Sequence, residues 1–297
     1  MAAVLGGRAA AVGREWGDAH RGLDPGRLWE RHVAAGVAVV GPDAPGWPEV
    51  LRDDPEPPVL LFAQGDLATL AGPRVAVVGS TPGAVATGAT WRSSSAARWR
   101  AAGVGVVSGL ALGIDAAAHA GALEAGARPP VAVVATGLDV VYPRRNGPLW
   151  RRVASRGVLL SEYPLGVPPL PWRFPARNRL VAALADVVVV VESHARGGSL
   201  YTVDEAARRD RPVLAVPGSV HSPASRGALD LLADGCPGAR RRRRADRARP
   251  VGNGPVGPAT RRIRSSIPRT PRCSTPSATS PRPSSTSRCA PVAPSAP

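Results

Sequence analysis

The densest cluster of chemically capable side chains runs Trp172-Arg173-Phe174-Pro175-Ala176-Arg177-Asn178-Arg179, three guanidinium groups, an amide and two aromatic rings within eight positions. Arginine pairs with phosphate oxygens and an aromatic face stacks on a base, the combination that holds an unpaired nucleic-acid strand. The same string also suits a solvated helix start with Trp172 and Phe174 buried, and residue types alone leave both readings open. Three glycine-containing turns add backbone donors. Val78-Gly79-Ser80-Thr81-Pro82-Gly83 is small enough to bring N–H groups against an anion, or to form a plain tight turn. Ser108-Gly109-Leu110-Ala111-Leu112-Gly113-Ile114-Asp115 sets Gly109 and Gly113 ahead of a helix start, a cradle suited to phosphate. Gly197-Gly198-Ser199 leads into another helix, with His194 and Arg196 adding polarity.

Acid–base chemistry has thinner support. Asp115 and His119 are four apart and share a helix face. They form either an acid/base pair or a capping carboxylate with a histidine packed behind it. With no nucleophile or metal partner nearby, the second reading is preferred. Glu192, at the end of an apolar run, is a catalytic carboxylate or, more often for such a position, an acceptor for backbone hydrogen bonds. The turn at Gly79 is not G-x-G-x-x-G, and a chain without lysine has no P-loop. Cys236, Cys273 and Cys289 are far apart with no CxxC or Cys/His pairing, so free thiols are expected rather than disulfides or a zinc site. No catalytic residue, metal or cofactor is assigned.

These turns need strands and helices to position them. Apolar, β-branched runs at 75–78, 104–107, 131–135, 158–160, 187–191 and 213–216 are continuous rather than alternating, the pattern of strands buried on both faces. Helical segments are expected near 85–101, 115–125, 148–155, 176–185 and 200–208. That rhythm predicts an α/β fold, Rossmann-like and doubly wound, with a mostly parallel sheet and right-handed crossovers. In such a sheet ligands bind beyond the carboxyl ends of the strands, where all the glycine turns fall.

Three regions follow from the pattern. Residues 1–70 are a short helical and extended lead-in, weakly amphipathic near 28–37 and then so proline-rich, at 42–48 and 55–58, that a long helix is excluded. Residues 71–236 carry the Rossmann-like domain. Residues 237–297 hold fourteen arginines against one aspartate and almost no large apolar side chains, which predicts a disordered basic tail. The tail is either genuine or an out-of-frame product of a GC-rich gene, and the abrupt break near Cys236 favours the second. The tail supplies +13 of the +16 net charge, so basicity alone says little about the body. No stretch has the length and apolarity of a membrane span or a signal peptide, which predicts a cytoplasmic protein.

The ordered strings VAVVGS, SGLALGIDAAAH, TGLDVVYPRRN, LLSEYPLG, FPARNRLVAALAD, GGSLYT and RPVLAVPGS resemble the DprA/Smf family, with PGWPEVLRDDPEPPVLLFAQGD similar to that family's lead-in. The resemblance covers residues 41–236. It implies a protein that binds and protects single-stranded DNA and loads the RecA recombinase during transformation, as a homodimer, without turnover or cofactor. Carried over by position, the DNA pocket would comprise Gly79, Ser80, Ser108, Gly109, Gly113, Phe174, Arg177, Asn178, Arg179, Gly197, Gly198 and Ser199. Arg177 and Arg179 would face phosphates, Phe174 would stack on a base, and the glycine turns would offer N–H groups. Thr81 stands where family members commonly have arginine, with Arg92 or Arg173 as compensating charges. The small helical domain that often precedes residue 41 looks abbreviated and the winged-helix-like domain common at the other end is absent, so only 219–236, with Leu229, Leu231 and Leu232, remains of the dimer and recombinase region. A nucleotide-processing phosphoribohydrolase on a related fold is the enzymatic alternative, disfavoured because Arg196-Gly197-Gly198-Ser199 lacks the PGGxGT pattern; an inactive truncated family member is the other.

Overall fold

The six valine-rich runs form the six parallel strands of one sheet. The computed structural model describes residues 24–79, 102–126 and 128–239. The helix expected at 85–101, with Ser80, Thr81 and Arg92, and the tail beyond 239 lie outside the described residues. The parallel strands are β3 Arg74–Gly79, β4 Gly105–Ser108, β5 Val131–Val133, β6 Val158–Ser161, β7 Val187–Glu192 and β8 Val213–Ala215. Two further strands, β1 Ala38–Val40 and β2 Leu61–Gly65, precede them, and the spatial order is β1-β2-β6-β5-β4-β3-β7-β8.

That order has one reversal. The chain starts its parallel set at β3, steps outward through β4, β5 and β6, then returns to the other side of β3 as β7 and β8. β3 pairs with both β4 and β7, so the strand order reverses at β3, and the carboxyl edge at such a reversal is the usual ligand position of a Rossmann-like sheet.

The described helices are α1 Pro25–Ala34, α2 Ile114–Ala125, α3 Gly147–Arg156, α4 Arg173–Ala183, α5 Ser199–Arg208 and α6 Arg226–Ala233. From α2 onward each follows a strand, so each starts at the carboxyl edge. One face of the sheet packs Val75, Val77, Val106, Val189 and Val191 against Ile114, Ala118 and Ala122 of α2. A second cluster joins Ala132 and Leu159 to Leu110, Leu123, Trp150 and Val153. Each Val, Leu or Ile side chain so removed from water stabilises the fold by about 1.5–3 kcal/mol.

The lead-in is part of the sheet, so the division expected at residue 70 marks no break in strand pairing. Antiparallel β2 pairs Phe62 with Ser161 and Gly65 with Val158 on β6, and β1 pairs in turn with β2. Prolines keep the segment between them from forming a long helix, and arginines fasten it to the body. Arg209 binds both carboxylate oxygens of Asp54, at 2.7 and 2.9 Å, with both side chains only 3% exposed, and Glu205 flanks the pair. At the other end Pro237, Gly238 and Ala239, assigned by composition to the tail, pair with the sheet. Pro237 accepts from Ala215 N–H and Ala239 donates back to Ala215, so three more residues add a rung beside β8, running parallel to it. Cys236 is a buried free thiol; Cys273 and Cys289 lie outside the described residues.

Candidate functional site

At the switch point β3 ends in Gly79, opposite Glu192 on β7. A Cβ on Gly79 would sit 2.7 Å from Ile114 Cγ1 and 3.0 Å from the Glu192 carbonyl oxygen, so glycine is needed there for close packing. The Glu192 carboxylate is buried, and its Oε2 has no hydrogen-bond partner. Beyond β7 the chain turns through 193–198 into α5. The Gly197 N–H donates to the His194 carbonyl, and the Ser199 hydroxyl to Ser193 Oγ at 2.8 Å, which folds the loop into a fixed shape. Gly227 at the start of α6 braces it from behind, donating to the Ser193 carbonyl at 2.7 Å. A Cβ on Gly198 would meet nothing within 4 Å, so the α5 N-terminus opens outward there. Arg196 is exposed on the same loop.

The turn after β4 is arranged differently from the sequence expectation. In place of an external phosphate, the N–H groups of Gly109 and Ala111 donate to Asp115 Oδ2, at 3.1 and 3.4 Å. The cradle therefore already holds an anion, the chain's own carboxylate. Asp115 caps no backbone group of its own helix; Gly113, at φ +85°, leads into α2. Burial pushes the Asp115 carboxyl above the ordinary range, while Arg177 and the two N–H bonds pull it back. Ser108 is buried and donates to the Val77 carbonyl at 2.6 Å. Leu110 adopts a left-handed φ of +53° with its side chain inside, a conformation that persists only where neighbours enforce it. Asn146 supplies that restraint, donating to the carbonyls of Leu110 and Ala111. His119 lies fully buried behind the turn, and burial pushes its pKa down to about 3, so it is neutral and packed rather than a general acid.

The Trp172–Arg179 cluster separates into inward and outward groups. Arg177, read as a phosphate contact, is 5% exposed and donates to the carbonyls of Gly109, at 2.9 Å, and Val133, with Nε to Asn178 Oδ1. Burial lowers its pKa and Asp115 opposes that shift. The guanidinium is a brace between the ends of β4 and β5. Arg179, also read as a phosphate contact, is paired with Glu162 and donates to the Glu56 carbonyl of the lead-in at 2.6 Å. Asn178 spans Arg177 and the Gly198 carbonyl, at 3.4 Å, tying α4 to the loop before α5. Phe174 is half-buried, its ring 5.4 Å from that of Tyr142.

With Arg177 and Arg179 engaged internally, other cations face outward. Tyr142, 45% exposed, stands at the head of a short 3-10 turn, Arg144–Asn146, on the loop after β5. Arg144 and Arg145 are exposed on that turn, and Asn146 anchors it to the Gly109 turn below. The sequence signal for Tyr142-Pro143-Arg144-Arg145-Asn146, without a role on residue types alone, is an aromatic and two arginines just after a strand end. Among the described residues no group of three or more His, Cys, Asp or Glu side chains could hold a metal ion, and no helix is long and apolar enough to cross a membrane.

Residues 38–246 match the family model described as DNA recombination-mediator protein A. Protein Smf of Synechocystis is 35% identical over 221 residues, which cover 72% of this chain and 54% of that protein, so the chain spans about half of that relative's length. DNA processing protein A from Streptococcus pneumoniae has a crystallographic structure similar to this one, with a TM-score of 0.64 and 37% identity over 70% of this chain and 74% of the other. A structure reported for the single-stranded DNA binding mode of DNA processing protein A from Helicobacter pylori gives 0.57 and 29%, over 68% of this chain and 89% of that one.

Proposed function

The chain belongs to the DNA recombination-mediator protein A family, and on that premise we propose that it binds single-stranded DNA along the carboxyl edge of its sheet and delivers the coated strand to RecA. The observation that carries the reading is the set of outward groups at this edge. Phe174 and Tyr142 offer ring faces, while Arg144, Arg145, Arg196 and the α5 N-terminus at Gly198 offer positive charge. A strand held through stacking and phosphate contacts is bound with little sequence preference. The Helicobacter relative, whose reported structure concerns single-stranded DNA, supports the choice of ligand.

In this proposal the buried groups shape the site and the exposed ones touch DNA. Asp115, Arg177 and Asn146 hold the Ser108–Gly113 turn, and Asn178 holds α4 against the loop before α5. In this reading Gly79 at the end of β3 and the Gly197–Ser199 turn after β7 flank the switch point and receive the sugar-phosphate chain. The protein acts in the cytoplasm by binding rather than by turnover, and pairs with a second copy through the region around α6.

The decisive experiment measures binding to oligo-dT at low salt by the full chain and by a version ending at residue 239, because the arginine-rich tail attracts any polyanion. The shortened protein binds, with affinity that falls steeply as salt rises. No affinity in a folded shortened protein refutes the reading. Release of free base from nucleoside monophosphates would instead point to the buried Glu192 carboxylate and a hydrolase.

A further inference from the structure

We propose that Trp172 is a base-stacking residue, holding a nucleobase separate from any base stacked at Phe174; the proposal rests on the single-strand reading above. Trp172 occupies the N-cap position of α4, at the carboxyl edge, and is 59% exposed. Its inner side is fixed by a pile of planar groups. The Arg173 guanidinium carbon lies 5.1 Å from the Trp172 ring centroid and 4.8 Å from that of Tyr163. The Tyr163 ring meets Trp172 edge-on at 6.4 Å and 82°. Arg173 is held in turn by the Pro168 carbonyl, and the Tyr163 N–H donates to Ser161 Oγ. The indole is therefore supported on one side and open on the other.

Three features make a nucleobase the fitting occupant. A large apolar ring kept exposed yet pinned in orientation loses little conformational freedom when a second planar group stacks on it. Arg173 has no carboxylate partner among the described residues, so its charge is left to attract the phosphate that accompanies a base. Trp172 and Phe174 are two positions apart where the helix begins, so their side chains diverge, and Phe174 is already paired with Tyr142. A single base cannot serve both rings.

The test compares dT oligonucleotides with abasic oligonucleotides of equal length and charge, using the full chain so that tail binding is common to every measurement. Trp172→Ala weakens dT binding about 5- to 150-fold, the range of one lost stack, and leaves abasic binding unchanged. Trp172→Phe, which keeps a ring, retains most of the affinity and abolishes the part of the indole quenching by dT that comes from Trp172. Equal loss on both ligands, or no loss on dT, overturns the assignment, as does unchanged quenching in Trp172→Phe. A wild-type protein that binds neither oligonucleotide overturns the single-strand reading itself.

Discussion

Replacing Arg177 by methionine tests the claim that this arginine braces the site from inside. The change removes the donors to the Gly109 and Val133 carbonyls and to Asn178 Oδ1, and takes away the positive charge that opposes the burial of Asp115. Removing one member of a buried, hydrogen-bonded charge system costs about 3–5 kcal/mol. At about 2–4 °C per kcal/mol for a body of this size, the melting temperature falls by about 6–20 °C. Urea and thermal unfolding followed by circular dichroism measure the loss. Adding Asp115→Asn restores part of it, because the amide needs no countercharge, and the double-mutant cycle returns a coupling of at least about 1 kcal/mol. A variant that unfolds within about 0.5 kcal/mol of wild type yet loses affinity for dT would refute the reasoning and turn the guanidinium toward the ligand.

Three further outcomes follow from named contacts. Arg144→Ala with Arg145→Ala lowers the slope of log affinity against log salt by about 1.4, at about 0.7 per phosphate on a single strand, and leaves the melting temperature unchanged, as both residues are exposed. Gly79→Ala forces a Cβ against Ile114 and the Glu192 carbonyl, costing about 1–3 kcal/mol in a denaturant titration. His119, held near a pKa of 3 against 6.5 when free, resists a proton that the unfolded chain accepts. Its stabilising contribution is complete above pH 6.5 and is lost on acidification toward 3, at about 1.4 kcal/mol per pH unit. His119→Leu flattens that dependence relative to wild type in urea titrations between pH 4 and 7.

Strands were the most readable part of the chain, because a run such as Val187–Glu192 is buried on both faces and its composition reports that directly. Helix α4 starts three residues earlier than its expected onset at Ala176. Pro175 lies within the first turn, where its missing N–H has no intrahelical partner to lose. β1 and β2 were legible only as extended chain, because the surrounding prolines name no pairing partner, although 37–40 and 60–63 are apolar enough to pair. The roles of the arginines were not readable at all. Arg144, Arg177 and Arg179 are identical in composition, and only tertiary contact shows that two of them end on internal oxygens. Asp115 is the same case in reverse, since the glycine turn that invites an anion carries no sign that one is supplied from six residues downstream.

The antiparallel seam between β2 and β6 has a practical consequence for trimming this chain. The stretch Val158–Ser161 is wholly apolar but for its last residue, and one of its two sides is satisfied only by residues 62–65. A fragment begun at residue 71, where composition invites a cut, would bare that backbone as a template for neighbouring molecules. Such a fragment is expected to self-associate, which sedimentation would measure, whereas one begun at residue 24 keeps the seam closed.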